Sequence, residues 1–283
     1  MNRPGGRLRR LSARALVGLA LVASAVFCAV AAEWVAPANP NAQQLRFARQ
    51  PPSWMPKGGS FYVLGTDHLG RDVFSRLLYG ARVSLAVAFG SVAIGVLFGG
   101  GLGLVAGSAR SKAGDLLMRL IDIQMAIPTI VMAIVLVGIL GPSVRNVMIV
   151  FGLAGYPTFA RLVRGEMLQL RERDFTTAAH AVGASAQRVI LRHLLPNLLG
   201  PVLALAVLEM AAVILYESGL GFLGLSVPPR IPSWGGMLAD GRQYLTSAWW
   251  MALFPGLAIM TTVLGLNLAG EWIHAKLAPE IRG

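Results

Sequence analysis

Along this chain of 283 residues, apolar side chains gather into long charge-free runs and polar ones gather between them. No Asp, Glu, Lys or Arg occurs in 15–32, 83–109, 123–144 or 243–270, and 194–216 is interrupted only by Glu209. A sixth run, 146–160, falls short of a full span but continues through Leu162 and Val163, with Arg164 able to snorkel to the headgroups. A bilayer core of about 30 Å takes about 20 helical residues. The pattern predicts an all-α, polytopic membrane protein of six transmembrane helices.

One polar segment has a pattern of its own. In 174–197, DFTTAAHAVGASAQRVILRHLLPN, the residues Phe175, Ala178, Ala179, Val182, Ala186, Val189 and Ile190 recur at helical spacing. Gly183 falls in the middle, where two short helices can meet at a turn, and Ser185 can cap the second. The segment is too polar to cross a bilayer and too regular for a slack loop. A membrane protein that presents such a helix pair in one compartment offers it to a soluble partner.

Composition agrees with the membrane reading. The chain is 55% hydrophobic and 13% charged, against about 25% charged in soluble domains. A net charge of +12 raises the question of nucleic acid, but its distribution follows the spans. With the N-terminus inside, segments 1–14, 110–122, 161–193 and 271–283 are internal and hold 16 Lys and Arg, while 33–82, 145 and 217–242 are external and hold 9. Five arginines crowd into 1–14, so both termini are expected inside, with anionic lipid and not nucleic acid as the partner of this basicity. Trp34, Trp249, Trp250 and Trp272 flank spans at interfacial depth. The single cysteine, Cys28, lies in span one, where no intramolecular disulfide is open to it. Ala29-Val30-Ala31 resembles a signal-peptide cleavage site, but the apolar run before it is longer than such peptides use.

The chain thus divides into a basic N-terminus, 1–14; a first span, 15–32; an external segment, 33–82; and a larger unit, 83–283, holding the remaining spans, the internal loop 161–193 and an external lid, 217–242. Residues 36–58 read as irregular loop, and 65–85 as an amphipathic helix whose polar face includes Asp67, Arg71 and Asp72. That face is either solvated at the interface or a docking surface. Span two carries Ser91, Gly95, Gly99, Gly103 and Gly107 four residues apart, a small-residue stripe for close packing against another helix. Pro128, Pro157, Pro196, Pro201 and Pro255 are positioned to kink or begin helices. The lid is dense in Gly and Pro yet keeps apolar residues such as Phe222 and Trp234, which suggests a folded scoop over a cavity.

Glu209 stands about halfway along span five. An ionised acid there costs on the order of 2.5–3.5 kcal/mol on insertion scales. It is therefore a transport-path or interhelical hydrogen-bonding residue, or else a peripheral acid in a misplaced span.

Several chemistries are missing. No G-x-x-x-x-G-K-[ST] loop occurs, so ATP is not hydrolysed here in that way. The histidines, His68, His180, His193 and His274, lack metal-site spacing. No serine sits in a nucleophile elbow. A secondary transporter usually places several ionisable groups in its spans, and Glu209 is almost alone. The energy source is expected on another subunit, and this chain is not expected to be an enzyme.

At this point a resemblance becomes visible. Thr177, Ala178, Ala179, Gly183, Leu195 and Pro196 match the spacing of the EAA loop of ATP-binding cassette importer permeases, E-A-A-x3-G-x9-I-x-L-P, with Thr177 in place of Glu and His193 in place of Ile. GTDHLGRDVFSRLLYGARVSL, RLVRGEMLQLRERDF and ESGLGFLGLSVPPRIPSWGGMLADGR are similar to the second permease subunit of the dipeptide, oligopeptide and nickel subgroup, so the resemblance covers 60–283; Ala278 departs from a usual Asp. It implies a type I importer permease in the bacterial cytoplasmic membrane, with both termini inside. It also implies a heterodimer with a second, homologous permease, two ABC ATPase subunits that bind ATP and Mg, and an external solute-binding protein. This chain would bind no cofactor and no metal. The six matching positions would couple to an ATPase. Asp67, Arg71, Asp72, Glu217 and Trp234 would serve external docking or the lid, and Glu209 would line the path. Peptides are the favoured solute; nickel, glutathione or another small solute is the alternative, and a channel or secondary transporter not coupled to ATP is the competing class.

Overall fold

A computed structural model of the protein describes residues 13–56, 58, 61–108 and 112–277. The arginines before residue 13 and the departure at Ala278 lie outside them. Among the described residues the fold consists of α-helices: α1 (Ala13–Val35), α2 (Val73–Ser108), α3 (Lys112–Met125), α4 (Thr129–Leu140), α5 (Val144–Arg171), α6 (Asp174–Ala181), α7 (Ala186–Val189), α8 (Leu195–Phe222), α9 (Trp234–Gly241) and α10 (Trp250–Leu277). Five are long and apolar enough to cross a membrane: α1, α2, α5, α10 and the run from Ala186 to Phe222; α3 and α4 make a sixth if counted as one span, bent by 82°.

That bend corrects the third span expected at 123–144. Pro128 has no N–H to donate and disfavours helical backbone in the residue before it, so the helix stops at Met125 and restarts at Thr129. The fourth span, weakest in the sequence, is a continuous helix of 28 residues. Its charged half was read as internal loop, as was 110–122. That half is helical, as is 112–122 in α3, and the two pair: Arg161 Nη2 lies 2.6 Å from Asp122 Oδ1, and Arg164 meets Asp115. Within the charge-free run 243–270, the sixth span begins at Trp250, beside the tryptophans expected to flank it, and 242–249 is spent in turns.

The small-residue stripe finds its partner inside the chain. Along α2, Gly99 faces the Tyr156 carbonyl so closely that any Cβ would overlap it, and a Cβ on Gly103 would lie 2.6 Å from the Ala160 carbonyl oxygen. Both neighbours belong to α5, which runs parallel to α2 at backbone contact. At the other end of α2, Arg82 donates from Nε to the Ala29 carbonyl (2.5 Å) and from Nη2 to that of Val30 (3.1 Å), and pairs with Glu33 at 2.7 Å. One guanidinium thus fastens the last turns of α1 to α2.

The amphipathic helix expected over 65–85 begins only at Val73. Residues 65–72 form a turn closed by an antiparallel bridge between Thr66 and Asp72. This turn, the segment 36–56, the loop after α8 and the short α9 make a cap over one end of the bundle. Trp250 sits inside the cap, 4% exposed, and donates from Nε1 to the Thr66 carbonyl at 3.0 Å. It is a core residue and not the interfacial anchor its sequence position suggested.

Candidate functional site

At the opposite end of the bundle the chain leaves α5 for the helix pair α6–α7. Its base is fixed twice: Thr176 Oγ1 donates to the Leu170 carbonyl (2.7 Å), and Arg171 Nη1 donates to the Gly107 carbonyl at the end of α2 (3.1 Å). Gly183 then turns the chain with φ +85°, a conformation glycine adopts without steric cost. Ser185 Oγ accepts from the Arg188 N–H and caps α7. Val189 and Leu194 are buried with Val163, Met167 and Leu170 of α5, and Ala179 and Leu195 pack half-buried on them.

The turn splits what the periodicity presents as one apolar face. Val189, Ile190 and Ala179 hold the pair against the bundle, whereas Phe175, Ala178, Val182 and Ala186 face outward. Val182 is 85% exposed. Thr177 and Pro196 are exposed as well. Between α7 and α8, residues Ile190–Leu194 form a π-helical turn, which keeps the helix unbroken as far as Pro196 in the first turn of α8. The result is a rigidly based, outward-facing apolar knob.

A second feature lies at half-depth. Ser91 is at the middle of α2, Thr158 at the middle of α5 and Glu209 at the middle of α8. All three line one cavity of about 130 Å³, together with Tyr216 and with Thr129 at the α3–α4 break. Glu209 therefore faces the bundle interior, not lipid.

The comparisons with known proteins decide the family. The model of the binding-protein-dependent transport system inner membrane component matches residues 99–283, and that of the N-terminal transmembrane domain of oligopeptide transport permease C matches 8–52. The chain belongs to this transport family. It is a multi-pass membrane permease subunit of an ABC importer. The di/tripeptide transport system permease protein DppC of Pseudomonas aeruginosa (strain UCBPP-PA14) is 42% identical over 268 residues, 95% of this chain and 88% of the relative. The dipeptide transport system permease proteins DppC of Escherichia coli (strain K12) and Alkalihalophilus pseudofirmus are 42% and 41% identical, each across 95% of this chain and 89% and 86% of their own. In fold, the permease is similar to an inward-facing conformation of the MetNI methionine ABC transporter, with TM-score 0.59 at 19% identity over 71% of this chain and 96% of that one.

The permease buries the five side chains proposed for external docking or the lid: Asp67, Arg71, Asp72, Glu217 and Trp234 are each 4% exposed or less. They hold the cap from within, so any partner at that end meets other residues. Asp67 accepts from Arg71 Nε at 2.5 Å, Arg71 Nη2 reaches Asp240 at 3.1 Å, and Arg76 Nε lies 3.6 Å from Asp67. Asp72 accepts the Ser75 N–H at 2.7 Å at the start of α2. Trp234 Nε1 donates to the Leu77 carbonyl. Ligand-type atoms of Asp67, His68 and Asp240 lie within 4.8 Å of one another, but Arg71 and Arg76 already balance the two carboxylates. Sequence reasoning missed Thr176 and Arg171 at the base of the knob. A Thr just past a helix end and an Arg in its last turn are both capping signals, and an amphipathic pattern search passes over them.

Proposed function

We propose that this permease carries peptides, di- or oligopeptides, and forms half of the translocation path in a heterodimer with a second permease. Two cytoplasmic ATPases hold ATP and Mg and perform the catalysis, which this subunit lacks, and an external binding protein delivers the solute at the cap. The knob α6–α7 lies in the cytoplasm with both termini. The observation that carries the reading is that knob: apolar side chains without cover, held on a fixed base by a left-handed glycine, in a chain 42% identical to a dipeptide permease. Phe175, Ala178, Val182 and Ala186 fit the apolar groove of an ATPase, while Thr177, Ala179, Gly183, Leu195 and Pro196 set its shape.

The test is reconstitution of this chain with its partner permease, ATPases and binding protein in proteoliposomes. Uptake of radiolabelled glycyl-leucine should require ATP on the ATPase side. Uptake driven by an ion gradient without ATP would refute the coupling, and displacement by nickel or glutathione in place of dipeptides would reassign the solute.

A further inference from the structure

The half-depth cavity has features that packing alone does not explain. Three long helices bring their midpoints to it, and at those midpoints stand Ser91, Thr158 and Glu209 rather than apolar residues. Ser91 is 1% exposed and its hydroxyl has no hydrogen-bond partner. A buried hydroxyl left unpaired costs stability, and close packing against α5 asks only for a small residue at 91, not for a hydroxyl. Glu209 makes no ion pair or hydrogen bond among the described residues. An acid at this depth without a protein cation is costly in a resting bundle and becomes favourable once a cation arrives.

The remaining wall adds the opposite polarity. Thr129 opens α4 at the 82° break, and α4 begins after Pro128 without a side-chain cap. The first N–H groups of a helix lack intrahelical partners and carry partial positive charge. The cavity thus joins a free carboxylate, an unpaired hydroxyl and the amino end of a broken helix, with Tyr216 and Thr158 as further hydrogen-bonding groups. Interrupted helices at the membrane midplane are where transporters seat polar solutes.

We infer that this cavity is a transit site for a zwitterionic solute, in which Glu209 accepts the solute's primary ammonium and the amino end of α4 faces its carboxylate. The inference rests on the peptide reading above and deepens it: recognition inside the membrane is of the charged ends of the peptide, and not of its side chains. Glu209 is then a residue that touches solute. Ser91 and Thr158 complete the hydrogen bonds that water supplied before entry. The apolar remainder of the cavity, including Phe151 and Val213, excludes competing water and strengthens the ionic contact.

The full complex reconstituted in proteoliposomes provides the test, with Glu209→Gln and Glu209→Asp beside the unaltered chain. Glycyl-leucine uptake should fall about tenfold or more in Glu209→Gln, the scale of one lost charge-assisted hydrogen bond. Glu209→Asp should keep most of it, and copurification of subunits should stay near that of the unaltered chain in both. A second measurement uses the thiol introduced by Thr158→Cys in a Cys28→Ala background. Millimolar glycyl-leucine should slow its reaction with 2-aminoethyl methanethiosulfonate, N-acetylglycyl-leucine should not, and adding Glu209→Gln should abolish the protection. Uptake by Glu209→Gln equal to that of the unaltered chain, or a loss matched by loss of copurification, would overturn the inference, the latter by making Glu209 an assembly residue. Equal protection by both peptides would overturn it too. No ATP-driven glycyl-leucine uptake by the unaltered complex would instead refute the peptide reading, and this inference with it.

Discussion

Ser226 donates its hydroxyl to Oε1 of Glu217 at 2.7 Å, joining the loop after α8 to the last turns of α8 itself. The other carboxylate oxygen of Glu217 accepts from Ser84 of α2 at 3.2 Å, and the Ser84 oxygen in turn lies 3.4 Å from the Trp234 N–H at the start of α9. Glu217 is fully buried. One carboxylate therefore ties the lid, the lid helix and two long helices together.

Removing it should loosen the lid. Glu217→Ala leaves the Ser84 and Ser226 hydroxyls buried without their acceptor, at a cost of about 1–3 kcal/mol. Limited trypsin digestion of the purified complex should cut after the exposed Arg230 severalfold faster in Glu217→Ala than in the unaltered chain, with Glu217→Gln between them. Equal rates would mean that the lid is held by its apolar contacts alone.

The glycines of α2 make a prediction about this chain and not about its partners. Gly99→Leu and Gly103→Leu would drive a side chain into the α5 backbone, at about 1–3 kcal/mol or more for such overpacking. The subunit itself should lose thermal stability and abundance in the membrane, and complex formation should fall only in proportion. Normal abundance with selective loss of the partner permease would move the stripe to the subunit interface.

Gly183 should be needed for coupling and not for insertion. A Cβ there meets no neighbouring atom within 4 Å, so only the backbone objects: φ +85° strains a β-branched residue by about 1–3 kcal/mol. Gly183→Val should reach the membrane at normal levels yet lose solute uptake and the ATPase stimulation by loaded binding protein, and Gly183→Ala should be milder. Normal uptake by the Val variant would refute a coupling role for this turn.

Orientation is open to thiol labelling in a Cys28→Ala background. Cysteines replacing Ser53 and Ser185, both exposed, should react with an impermeant reagent differently: the first in intact cells, the second only after permeabilisation. Labelling at 185 in intact cells would invert the topology. Ser233, which looks equally suitable in sequence, is 1% exposed and caps α9.

The long helices and the turn at Gly183 were legible because each is written in local pattern: a charge-free run, a glycine between two short amphipathic stretches, a serine before the second. The break after Met125 left only Pro128 as a sign, within a run uniform enough to read as one span. What could not be read was the direction in which polar residues point. Asp67, Arg71 and Asp72 form a polar stripe suited to solvent, but Arg71 and Arg76 turn inward onto Asp67, and they are held there by Asp240 and the Pro40 carbonyl, which lie far away in the chain. The stripe on α2 showed that a helix approaches closely. That the helix is α5 is a fact of topology, which no spacing encodes.

The unbroken helical run from Ala186 to Phe222 has a mechanical consequence. At about 1.5 Å per residue it is a rod roughly 55 Å long. Its near end is built into the knob, its far end carries Glu217, and Glu209 lies about five residues past its midpoint, toward the lid. A rod tilted about its middle moves its two ends in opposite senses while the fulcrum stays in place. A push on the knob would swing the lid the other way, and a solute held at Glu209 would see one entrance narrow as the other widens without itself being carried anywhere.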